Sequence, residues 1–160
     1  MSSTPAELGT VVLRSFPLDV FSEARNHSEA LLREFAFIVD GGGDNTELPR
    51  RLLDIVNRVR ARGAGLNPGA ERAIEGARDR GDKSVDFELV VPARMAAGAM
   101  EFAALLDEID DYCQSGELLT LATPPEIREF RRWYLHEMAR QADGDAPTSW
   151  PEWRDRATRS

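Results

Sequence analysis

The feature that most constrains this chain is a single stretch of period-two alternation. In SVDFELVV, residues 84–91, the apolar Val85, Phe87, Leu89 and Val91 alternate with Asp86 and Glu88, the pattern of a strand with one face buried and one in water. A strand needs a neighbour for its backbone hydrogen bonds. The second strand signal is TVVLRSFP, residues 10–17, where a β-branched pair and a closing proline favour a short strand over a helix. The two are expected to pair, although most of the first half of the chain lies between them.

The rest reads as helix. From Asp19, the apolar positions Val20, Ala24, Leu31, Phe35 and Ile38 recur at helical steps until the chain reaches Gly41, Gly42 and Gly43. A second helix is predicted over 47–62, with Leu48, Leu52, Val56 and Val59 on one side and arginines on the other, ended by Gly63 and Gly65. Asn67 and Pro68 form an N-cap and first-turn pair for a short helix running toward Gly81. Pro92 opens the longest helix, 92–115, whose stripe Met95, Ala99, Phe102, Leu106, Ile109 and Cys113 is widened by Gly98, Leu105 and Tyr112. So broad an apolar face marks a central helix.

After Gly116, the leucines 118, 119 and 121 read as a buried extended segment, because Pro124 and Pro125 disfavour helical geometry before them. Thr123 and Glu126 form a T-x-x-E capping box for a last long helix that turns Ile127, Phe130, Tyr134 and Met138 inward and stops before Gly144. In the tail APTSWPEWRDRATRS, Ser149, Pro151 and Glu152 repeat the start signal of a short helix. The fold class is mainly α (α+β): about five helices and a two-stranded β element, in the order β-α-α-α-β-α-α, packed around helix 92–115. Residues 1–8 are expected to be loose, 9–143 to form one domain, and 144–160 to be a Trp-containing tail.

At 160 residues there is room for one domain. A chain this long hides roughly 70% of its unfolded surface on folding, enough for a core without disulfide or metal staples. Twenty Lys plus Arg against 28 Asp plus Glu leave a net charge of -8, which repels nucleic acid and anionic membranes. Lys83 is the one lysine among those cations, an arginine bias that suggests GC-rich coding and a bacterial source. One cysteine, Cys113, excludes an internal disulfide, and no signal peptide or apolar run long enough to span a bilayer is visible. The cytoplasm is the expected compartment.

Few residues carry chemistry. DGGGDN, residues 40–45, lacks the spacing of a phosphate loop or an EF-hand and reads as a connection between helices. His27, His136 and Cys113 do not make a metal-ligand pattern, and Cys113 continues an apolar stripe, so it is expected to be buried and inert. Asp107, Glu108, Asp110 and Asp111 spread over a wide helical arc and read as a solvated acidic face or one half of an ion-pair seam. No catalytic residue, metal site or cofactor is predicted.

The last helix instead gathers Arg128, Arg132, His136 and Arg140 at steps of four with Arg131 beside them. Such a stripe is either a solvated surface laced with Glu129 and Glu137 or a docking face for an acidic partner. Trp150 and Trp153, three apart in the tail, fit either an anchor for a partner or a segment folded back on the domain. These seven residues are the candidate partner-binding set.

The blocks LLREFAFI (31–38), PRRLLDIV (49–56), GDKSVDFELVVPA (81–93) and LLDEIDDYCQSGELLTLATPPEIREFRRWYLHEM (105–138) resemble a family of short, uncharacterised actinobacterial proteins. Its members are encoded beside STAS-domain anti-sigma antagonists and histidine-kinase-like anti-sigma ATPases. The resemblance covers roughly residues 8–143 and implies a partner-switching context, without catalytic residues to carry over. The chain has no D-x-G-x-G and no N-box, so it does not look like the ATPase, and it lacks the alternating strands and helices of a STAS domain.

The function expected is a non-catalytic regulatory or scaffold protein that binds protein partners, with STAS-domain or anti-sigma proteins as candidates and a homodimer left open. The alternative is a small-molecule sensor or small enzyme with a pocket between helix 92–115 and segment 117–123.

Overall fold

The computed structural model describes residues 8–41, 46–61, 68–115 and 122–159. Glycines 42, 43, 63 and 65, Asn67 and the leucines 118, 119 and 121 lie outside the described residues, as does most of the DGGGDN connection.

The two strand signals do pair. Strand β1 (Leu8–Pro17) runs antiparallel to β2 (Ser84–Pro92), with Val11 opposite Leu89 and Leu13 opposite Phe87. The alternation puts Val11, Leu13, Phe87, Leu89 and Val91 in the core and leaves Thr10, Arg14, Asp86, Glu88 and Val90 exposed. A bulge separates the pairs Leu13–Phe87 and Phe16–Val85. Within it Ser15 takes the left-handed backbone (φ 54°), and its N–H donates to Asp86 Oδ1 at 2.6 Å. The extra residue returns Phe16 to the core face, where it lies 4.8 Å from Phe87 and 5.4 Å from Phe130 between ring centres.

Six helices complete the described chain: α1 (Leu18–Asp40), α2 (Glu47–Ala61), α3 (Pro68–Asp79), α4 (Ala93–Ser115), α5 (Pro125–Ala142) and α6 (Trp150–Arg159). Helices α3 and α5 end alike. Gly81 (φ 77°) and Gly144 (φ 94°) reverse the chain in the left-handed region, so that Asp82 N–H reaches the Ala77 carbonyl and Asp145 N–H the Arg140 carbonyl. None of these helices is long and apolar enough to cross a membrane.

Two apolar clusters hold the helices. The larger lies under the sheet and takes Ala70, Ile74 and Ala77 from α3, Ala96, Ala99 and Ala103 from α4, and Phe130, Trp133 and Met138 from α5. The smaller joins Leu31 and Phe35 of α1, Leu52 of α2, and Leu105, Ile109 and Cys113 of α4. Helix α4 is thus central, as its wide apolar face predicts. Its buried apolar positions among the described residues are the alanines 96, 99 and 103 toward its start, in the larger cluster, and Leu105, Ile109 and Cys113 further along, in the smaller. Phe102 and Leu106, expected at the middle of the stripe, are half-buried and touch both clusters.

One sequence expectation is corrected. Thr123 does not cap α5: the N-cap is Pro124, without a side-chain hydrogen bond, and the Thr123 hydroxyl instead donates to Asp110. Of the two fates open to the C-terminal tail, Trp150 follows the one that folds back on the domain: it is buried in the larger cluster, 5.7 Å from Trp133 between ring centres. Ser149 does cap α6, its Oγ accepting the Glu152 N–H. Trp150→Ala should therefore lower the unfolding free energy by about 3 to 5 kcal/mol through lost burial and a cavity. Urea denaturation followed by circular dichroism measures this, and a loss below about 1 kcal/mol would show that α6 does not belong to the cooperative core.

Candidate functional site

The acidic run of α4 and the arginine stripe of α5 meet each other. Asp107 and Asp110 stand one turn apart on α4, and Arg128 and Arg131 do the same on α5, so crossing the two helices brings the four groups into register. Arg131 Nη2 lies 2.9 Å from Asp107 Oδ1 and 2.9 Å from Asp110 Oδ2. Arg128 Nε stands 3.4 Å from Asp110 Oδ2, close enough for attraction yet without a hydrogen bond. Arg132 is looser, 3.7 Å from Asp107 and 3.8 Å from Glu129.

Asp110 is the centre of this seam, with only 2% of its surface exposed. Burial by itself would raise its pKa, but the Thr123 hydroxyl and the Arg131 guanidinium donate hydrogen bonds to it, and Arg131 and Arg128 add positive charge. Those contacts win, and the carboxyl is held below its ordinary value of 3.8. The Thr123 Oγ1 that donates to Asp110 also faces His27 Nε2 of α1 at 3.3 Å and Arg131 Nη1 at 3.4 Å. Three helices and the connection before α5 therefore share one polar knot.

A second knot closes the far end of α5. Glu137 is fully buried between Leu135 and Met138. Its Oε1 accepts the Thr148 N–H at 2.7 Å and Gln141 Nε2 at 3.1 Å, while Oε2 accepts Arg140 Nη1. Gln141 then behaves like a neighbouring strand. Its Oε1 accepts the Val12 N–H and its Nε2 donates to the Val12 carbonyl, both at 2.8 Å, which covers the free edge of β1 at that point. Arg140 also binds Thr148 Oγ1 at 3.0 Å and the Ala146 carbonyl at 3.2 Å, fixing the approach to α6.

The candidate partner-binding residues consequently have separate fates. Arg131 and Arg140 hold the fold; Arg128 leans on Asp110; His136 packs against the Trp153 ring at 5.2 Å. Trp150 is core, and Trp153 Nε1 donates to Glu129. Arg132 is the member of the stripe with most of its contacts loose, and its side chain is 40% exposed.

Of the two readings of the acidic run, Asp107 and Asp110 follow the ion-pair seam, whereas sequence reasoning does not find Thr123, His27 and Glu137 as participants. Two signals were available: acid–acid and arginine–arginine spacings of three on successive helices, and a glutamate wedged between apolar neighbours on α5.

Cys113 is buried, and burial followed by the charge of Asp110 pushes its thiol up to about 11, so it is no nucleophile near neutral pH. No group of three or more His, Cys, Asp or Glu is placed to hold a metal ion among the described residues. A cavity of about 290 Å³ lies between α2 and α4, lined by Glu47, Leu48, Arg51 and Tyr112. Arg51 there faces Glu108 at 3.7 Å. The pocket expected beside segment 117–123 falls largely outside the described residues.

No protein-family model, curated protein or solved structure matches this chain.

Two measurements follow from the seam. Arg131→Met leaves Asp110 buried without its main cation and should cost about 3 to 5 kcal/mol of stability, whereas Arg132→Ala removes only loose, exposed pairs and should cost less than about 1 kcal/mol; equal losses in urea titrations of the two variants would overturn this assignment. Because the folded pKa of Asp110 is depressed, its contribution to stability is complete above pH 3.8 and disappears as the pH falls through the folded value. In an NMR titration its side-chain carbonyl should show a midpoint below 3.8, and a midpoint at or above that value would contradict the hydrogen-bonded arrangement.

Proposed function

We propose that this chain is a non-catalytic regulatory or scaffold protein that binds protein partners in a bacterial signalling circuit of the partner-switching type. The reading is supported by the asymmetry within the arginine stripe. Arg131, 15% exposed, is locked on two carboxylates at 2.9 Å and maintains the fold, while Arg132 stands at 3.7 Å from the same Asp107 with its side chain 40% exposed. An acidic partner can recruit Arg132 while Arg131 keeps its contacts with Asp107 and Asp110 and Arg128 its contact with Asp110. Electrostatic recognition of this kind governs encounter and choice of partner more than raw affinity. The resemblance to proteins encoded beside STAS-domain antagonists and anti-sigma ATPases gives the kind of partner to try.

The test is isothermal titration calorimetry with a purified STAS-domain antagonist and a purified anti-sigma ATPase as probes. One of them should bind saturably. Arg132→Glu should weaken that binding by about fivefold or more, the equivalent of one exposed pair reversed, and lower the melting temperature far less than Arg131→Met does. Absence of binding by both probes would overturn the proposal, and equal affinity of wild type and variant would remove Arg132 from the contact surface.

A further inference from the structure

We infer that His27 is a proton-operated latch between α1 and the junction of α4 with α5. The argument starts from the single proton of the Thr123 hydroxyl. That proton is directed at Asp110 Oδ1, so toward His27 the same oxygen can only accept. His27 Nε2, 3.3 Å away, must therefore carry the hydrogen, and the neutral ring is the Nε2–H tautomer with Nδ1 bare. In this state α1 is tied through Thr123 to the Asp110–Arg131 pair.

Acid adds a proton at Nδ1. The Nε2–H hydrogen bond survives, but the ring becomes a cation in a half-buried position beside Arg131, whose Nη1 shares the same Thr123 oxygen. The groups facing it are Asp110 on α4, which attracts, and Arg131 on α5, which repels. On α1 itself, Glu23 is exposed one turn away, and the Arg25–Glu29 pair lies mostly in water. Burial outweighs the attraction of Asp110, and with the repulsion of Arg131 it holds the His27 pKa below its ordinary 6.5. Linkage then fixes the direction. The packed state prefers the neutral ring, so its stabilisation is complete above pH 6.5 and declines as the pH falls through the folded value.

Native-state hydrogen exchange of the full chain at pH 7.5 and pH 5.5, with protection factors corrected for the intrinsic rate, tests the latch. Wild type should lose protection at pH 5.5 in α1 around His27 while the β1 and β2 amides keep theirs. His27→Gln can still donate to Thr123 but cannot take a proton, and should show the same α1 protection at both pH values. His136→Gln should behave like wild type in α1. Unchanged wild-type protection, a loss spread evenly over every element, or a loss that persists in His27→Gln would each overturn the proposal. Should the glutamine variant not fold, the wild-type ring decides by NMR: neutral His27 must be the Nε2–H tautomer and titrate below 6.5, and an Nδ1–H tautomer or a midpoint at or above 6.5 refutes it.

Discussion

Two carboxylates almost without water, Asp110 and Glu137, set the terms on which the rest of the molecule packs. An ionised acid removed from water costs several kcal/mol unless donors and cations surround it, and the surrounding groups must come from fixed places in the chain. For Asp110 they come from α5 and from Thr123 before it; for Glu137 they come from Arg140, Gln141 and the amide of Thr148. Helix α5 supplies donors to both knots, which fixes its rotation and its position along its axis. Sliding it by one residue would break the Asp110 contacts and the Gln141 contacts with Val12, whereas the Glu137 contacts with Arg140 and Gln141 lie within α5 and would move with it.

From that constraint the path of the C-terminus follows. The segment that places Thr148 against Glu137 also lets Trp133 Nε1 donate to the Thr148 carbonyl, and two residues later Trp150 enters the core. The return of the chain along α5 continues with Trp153 on His136 and Glu129 and with Arg154 on Glu126. Gln141 extends the same network to the edge of β1. The end of the chain and its first strand are thus held by one helix, and the sheet, with only two strands, gains on its β1 side a neighbour that it could not provide for itself.

The charge distribution separates structural from available groups. A protein of net charge -8 gathers cations on α5 mainly because α4 presents acids to it. At the outer rim of the seam Arg132 keeps only loose pairs, and among the large apolar side chains Phe37 is 66% exposed. A single exposed aromatic is common on folded domains. The rim of the seam is the more specific feature, because its charges have fixed neighbours and so a fixed geometry.

Much of the architecture is legible in the residues themselves. The alternation of 85–91, the helical steps of α1 and α2, the glycines at 81 and 144 and the proline before α4 reflect local backbone and burial preferences, which depend on near neighbours. Cys113 could likewise be read as buried from its place in an apolar stripe. The polar contacts could not be read in that way. The arginine stripe looks like a surface until α4 is laid against it, and Thr123 looks like a helix cap until Asp110 is found 2.5 Å from its hydroxyl. The buried face of α5 widens from the expected Ile127, Phe130, Tyr134 and Met138 to include Trp133, Leu135 and Glu137, because α6 returns to cover a second side. Sequence alone determined where the elements lie and one inward-facing stripe on each, since these follow from periodicity. Only the tertiary structure decided which charges are buried and which are free, because that depends on partners tens of residues away brought within 3 Å by the packing of helices.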